Sequence, residues 1–81
     1  MNIRVKFFAL ARDIAGKDES VLSLPALSTA QAVLDSLIAQ HPRFHEWKNH
    51  LRIAVNYEYV QTDQKLNEND EVAIIPPVSG G

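Results

Sequence analysis

Ser28-Thr29-Ala30-Gln31-Ala32-Val33-Leu34-Asp35-Ser36-Leu37-Ile38 is the stretch that decides the fold. Ala30, Val33, Leu34, Leu37 and Ile38 fall at i, i+3, i+4, i+7 and i+8, which makes one apolar stripe along an amphipathic helix. Ser28 is read as the N-cap, with Gln31 three residues on at the spacing of a capping box. Gln31, Asp35 and Gln40 lie largely off the stripe. Pro42 bars the helix from continuing past about His41. A helix that is apolar on one side must bury that side against another layer.

The segments before and after the helix supply that layer. Ile3-Arg4-Val5-Lys6-Phe7 alternates apolar and polar, the period of a half-buried strand with Ile3, Val5 and Phe7 inward. Phe8 breaks the alternation and falls on the opposite face. Ala9 to Lys17 is ambiguous, with Leu10 to Ala15 able to form a helical turn, and Gly16 to Glu19 reads as a polar turn. Ser20 to Leu24 pairs back as a second strand and ends at Pro25. Beyond the helix, Arg43 to His50 reads as a short helical turn whose Phe44 and Trp47 rings cover the end of the core. Leu51 to Val55 is a third strand, Asn56-Tyr57-Glu58 a turn, and Tyr59-Val60 a short fourth strand. Thr62 to Asn69 is a polar connection with Leu66 as its anchor. Glu71 to Ile75 is the last strand, with Val72 and Ile74 inward. The order ββαβββ with one dominant helix is α+β. By fold analogy it is the β-grasp of ubiquitin, a mixed sheet whose first and last strands lie adjacent and parallel. Residues 1–75 are expected to form that domain and 76–81 a flexible tail.

Composition narrows the function classes. A chain of 81 residues is expected to be one domain. Its 46% hydrophobic content is that of a globular protein. Eight basic against ten acidic residues, without blocks of one sign, favour neither nucleic acid nor an anionic membrane. Without cysteine the chain has no thiolate ligand or nucleophile. No apolar run approaches the ~20 residues of a membrane span. The first residues lack a signal-peptide core, so a cytoplasmic location is expected.

Chemistry inside the domain is hard to find. His41, His45 and His50 are spaced by four and five, but Pro42 interrupts the helix that would align the first two. They read as ordinary exposed histidines, and no metal site is expected. Gly16 is the sole glycine before the last two residues, so no phosphate-cradling loop exists. An outer apolar patch is the better candidate. Phe8 and Ile75 are both out of phase with their inward neighbours, and Tyr59 can join them, as a partner site does. Arg12 sits just beyond, at a rim position suited to a partner's carboxylate. Pro76-Pro77-Val78-Ser79-Gly80-Gly81 follows. The prolines force an extended exit, and the glycine pair is slim enough to thread into a narrow site. A terminal carboxylate is a poor electrophile. Attack on the α-phosphate of ATP makes it an acyl-adenylate, from which a sulfur donor displaces AMP.

Val5-Lys6-Phe7-Phe8-Ala9 with Arg12, Ala54-Val55-Asn56, and above all Asn69 to Gly81 resemble the molybdopterin synthase small-subunit family. The resemblance implies the β-grasp fold and a role as sulfur carrier in molybdenum cofactor synthesis. It implies that Gly81 is adenylated by a ubiquitin-activating-type adenylyltransferase, with ATP and magnesium used by that enzyme and no cofactor bound here. A sulfurtransferase then makes the Gly81 thiocarboxylate. It further implies a heterotetramer with the large catalytic subunit, which takes the tail (Pro76, Pro77, Val78, Ser79, Gly80) and passes sulfur to cyclic pyranopterin monophosphate. Phe8, Tyr59 and Ile75 would contact both partners. Three alternatives stay open. They are a ubiquitin-like modifier joined through Gly81, a thiamine-pathway sulfur carrier (where Pro-Pro-Val-Ser is not expected), and a plain interaction domain.

Overall fold

A computed structural model of the chain describes residues 1–77; the expectations for Val78, Ser79, Gly80 and Gly81 lie outside the described residues. Five strands are present: β1 (Asn2–Phe7), β2 (Glu19–Ser23), β3 (Arg52–Val55), β4 (Glu58–Val60) and β5 (Glu71–Ile75). They form one sheet in the order β2-β1-β5-β3-β4. β1 pairs antiparallel with β2 and parallel with β5, so the first and last strands meet side by side in the middle. β3 runs antiparallel to both β5 and β4.

The helices explain the wide first hairpin and the helical layer. Helix α1 (Leu10–Ala15) fills the connection between β1 and β2, where the sequence was ambiguous. Gly16 closes it at φ 76°, its N–H donating to the Arg12 carbonyl at 2.8 Å, a left-handed C-cap that glycine adopts without penalty. Helix α2 (Ala30–Gln40) buries the predicted stripe of Ala30, Val33, Leu34 and Leu37, with Ile38 at its edge. A 3-10 turn (Pro42–Trp47) follows the break at Pro42. Its Phe44 is fully buried and stacks on Phe7, with ring centroids 6.3 Å apart. Trp47 stays half-buried beside His50.

The start of α2 departs from the expected capping box. Thr29, not Ser28, occupies the cap position, and no side chain caps the helix. Ser28 Oγ donates to the Pro25 carbonyl at 2.8 Å, and Gln31 Nε2 donates to Asp35 Oδ1 at 2.9 Å. The free N–H groups of Ala30 and Gln31 reach backbone carbonyls of Gln64 and Thr62, both at 2.9 Å. The first N–H groups of a helix need acceptors from outside it. Here a distant loop provides two of them, held down by buried Leu66.

Ile3, Val5, Val72 and Ile74 are fully buried against α2, as alternation predicts. All helical cover therefore lies on one face of the sheet. Pro76 after β5 is still buried, so the exposed exit begins at Pro77.

Candidate functional site

The uncovered face of the sheet holds the candidate site. The register aligns Lys6, Ala73, Ala54 and Tyr59 in one row across β1, β5, β3 and β4. Two alanines at the centre of that row leave a hollow of about 240 Å3. Phe8, Ile75, Tyr57 and Tyr59 stand around it, with Lys6 and Glu71 at its polar end. The structure thus brings Phe8, Tyr59 and Ile75 together. Phe8 and Tyr59 are 48% and 59% exposed, which is costly for apolar rings that nothing covers. Tyr59 is not on a strand next to β5. The two small alanines Ala54 and Ala73 lie between it and β1 in that row.

Arg12 takes a different place. It does not line the hollow; its guanidinium on α1 lies 3.5 Å from Asp18 Oδ1. Arg52 also lies outside the lining of the hollow but touches one of its rings, with its guanidinium carbon 4.3 Å from the centroid of Tyr59. That contact favours one orientation of the ring.

Two features escaped the reading of the sequence. Glu71 is just 6% exposed although it faces outward. Lys6 Nζ approaches its Oε1 at 3.1 Å, and Arg4 Nη1 at 3.8 Å. The hydrogen bond and the charge of Glu71 both hold the Lys6 ammonium pKa above its ordinary value. The second feature is the backbone conformation of the β3–β4 turn, whose position the sequence reading had placed correctly. Asn56 and Tyr57 have φ of 50° and 73°, the mirror-image turn of a two-residue hairpin. Asn56 is tied three times to β5 and the residue before it: its N–H donates to the Glu71 carbonyl at 2.8 Å, its Oδ1 accepts from the Glu71 N–H at 3.0 Å, and its Nδ2 donates to Asp70 Oδ1 at 3.0 Å. The available signal was phase: Glu71 shares a face with Ala73 and Ile75, and Lys6 with Phe8.

Among the described residues, no three His, Cys, Asp or Glu side chains converge as a metal site would need. A wider depression of about 570 Å3 beside α2 includes Gln31, Asp35, His45 and Lys48. What the site offers is a shaped apolar surface beside the strand that runs into Pro76 and Pro77.

A mixed sheet folded over one helix, with a bare apolar hollow beside its last strand, defines a ubiquitin-like β-grasp protein. The chain belongs to the ThiS family, whose profile matches residues 5–81. It is 40% identical to the molybdopterin synthase sulfur carrier subunit of Chlamydomonas reinhardtii, with all of both chains covered. Among solved structures it resembles a putative molybdopterin converting factor subunit 1 from Pyrococcus furiosus, at 31% identity and TM-score 0.88, over 96% of this chain and 99% of that one. It also resembles the small archaeal modifier protein 1 of Methanosarcina acetivorans, at 28% identity and TM-score 0.82, over 99% of this chain and 96% of the other.

Proposed function

We propose that this chain is the sulfur carrier of a molybdopterin synthase, working as a cosubstrate whose reactive group is the Gly81 carboxylate. The observation that carries the reading is the full-length likeness, at 40% identity, to a relative of that name. The geometry is in keeping with it. Among the described residues no cluster of His, Cys, Asp or Glu converges, and an apolar hollow stands beside β5. Such a chain docks by its sheet and reacts by its tail.

The chemistry follows from the carboxylate. A Gly81 oxygen attacks the α-phosphorus of ATP on the adenylyltransferase, and pyrophosphate leaves. Magnesium on that enzyme offsets the charge of the phosphates. A sulfide-level sulfur, delivered by a sulfurtransferase, adds to the activated carbonyl carbon and AMP leaves, giving the thiocarboxylate. Docked on the large catalytic subunit, the tail then presents that sulfur to cyclic pyranopterin monophosphate. Two carriers are used per molybdopterin, and water restores each carboxylate. The remaining catalytic groups belong to the large subunit. Phe8, Tyr59 and Ile75 supply the docking surface. All of this chemistry is placed in the cytoplasm.

Intact-mass measurement after incubation with ATP, magnesium, the adenylyltransferase and a sulfur source tests the reading. A sulfur-for-oxygen exchange confined to Gly81, followed by pterin turnover with the large subunit, is the expected result. An unchanged mass with a competent activating enzyme sinks it. Deleting Gly81 should abolish turnover and leave the thermal melt unaltered. The likeness to the archaeal modifier protein favours a second reading, conjugation to lysines through Gly81. Ladders on other proteins, in place of the thiocarboxylate, would mark that outcome.

A further inference from the structure

Tyr57 is in the wrong place for folding and in the right place for binding. Its φ of 73° lies in the left-handed region, where a bulky side chain is an outlier and glycine is at ease. It is 87% exposed, the most open of the large apolar side chains among the described residues, so its ring gains little from burial within the chain. It cannot relax by shifting the turn. Asn56, its neighbour in the turn, is held by three hydrogen bonds to Asp70 and Glu71. Backbone strain that the surroundings enforce points to a functional use. The ring borders the same hollow as Phe8, Tyr59 and Ile75.

We propose that Tyr57 is an affinity-determining anchor for the large catalytic subunit, extending the docking surface beyond Phe8, Tyr59 and Ile75 to the tip of the β3–β4 turn. The inference rests on the sulfur-carrier reading. A tyrosine suits the task, because it offers a large contact area with few rotatable bonds. The rigid turn means little freedom is left to lose on docking. The relative's name makes that protein a subunit of a synthase, and a subunit interface is where a fixed aromatic anchor adds to affinity.

Titration calorimetry of the full chain against the purified large subunit tests this, with Tyr57→Gly and Tyr57→Phe as variants. Tyr57→Gly relieves the backbone, so its Tm should equal or exceed that of the unsubstituted chain. Its Kd should rise at least about tenfold, into the range of a hot-spot truncation. Tyr57→Phe should stay within about threefold, since the ring makes the contact. Unchanged affinity of Tyr57→Gly overturns the inference. So does equal weakening by both variants. If the unsubstituted chain does not bind the large subunit at all, the sulfur-carrier reading itself fails, and that result is distinct from each of the others.

Discussion

Lys6 Nζ lies 3.1 Å from Oε1 of Glu71, two residues before Ala73, the register partner of Lys6 between the parallel strands β1 and β5. The carboxylate is nearly withdrawn from water, and an ionised group so placed needs its partner. The hydrogen bond to Glu71, then its charge, raise the Lys6 pKa above 10.5. A raised lysine pKa contributes stability that is complete below 10.5 and is lost as pH climbs through the folded-state value. Thermal melts of the unsubstituted chain and Lys6→Met should therefore differ by a constant gap at neutral pH. The gap should narrow only above 10.5. Tyrosines also ionise in that range, so the difference between the two proteins is the quantity to follow. A gap that closes near neutrality would show that the pair contributes through something other than the lysine charge.

Phe44 joins the end of the sheet to the 3-10 turn. It is fully buried, stacks on Phe7, and meets His41 edge-on at 6.0 Å. Phe44→Ala should cost about 3–5 kcal/mol through lost burial and the cavity left behind. That is a large share of the total stability of a small domain. Urea unfolding followed through the single Trp47, which lies three residues on, reads this directly. A loss below about 1 kcal/mol would mean that the turn packs loosely and its ring can be spared.

Leu27 carries a second strained backbone, without a site to justify it. Its φ is 70° and its side chain is 76% exposed, outside the hollow. Asparagine tolerates this region far better than leucine. Leu27→Asn should stabilise the chain by roughly 0.5–1 kcal/mol and raise Tm by about 4 °C. It should leave partner binding untouched. A lower Tm would show that the leucine makes a contact that its exposure does not reveal.

Much of this architecture was legible in particular residues. The 3.6-residue stripe from Ala30 to Ile38 and the alternation from Ile3 to Phe7 each specify an element and its inward face, because burial is a local periodic signal. The phase breaks at Phe8 and Ile75 foretold an outer patch by the same logic. Strand adjacency was different. The parallel pairing of β1 with β5 joins segments at opposite ends of the chain, and fold analogy supplied it. The Lys6–Glu71 pair depends on that register, so alternation alone could not join the two. Ser28 was misread because capping strength is judged locally, whereas the acceptors for α2 come from Thr62 and Gln64. Tyr57 was read as part of a turn, but turn type is a backbone property that Asn-Tyr does not announce as Asn-Gly does.

Ala73 provides a test of shape apart from charge. It sits on the central strand β5 between Lys6 and Ala54, and its missing bulk makes the hollow. Tyrosine is a good strand former, and the outer face has open space above this position, so Ala73→Tyr should fold. The new ring would occupy the hollow and lift any partner side chain out of it, with no change in net charge. On the docking reading, affinity for the large subunit should fall at least about tenfold, or about 1.4 kcal/mol. The Gly81 carboxylate is not altered by the substitution, so chemical activation should recover at saturating adenylyltransferase even if docking there is weakened. Near-native affinity of Ala73→Tyr would place the partner contact elsewhere on the domain. A loss of affinity together with a collapsed melt would instead mark Ala73 as a packing position, and Ala54→Ser, a smaller change on the same floor, would then decide between the two.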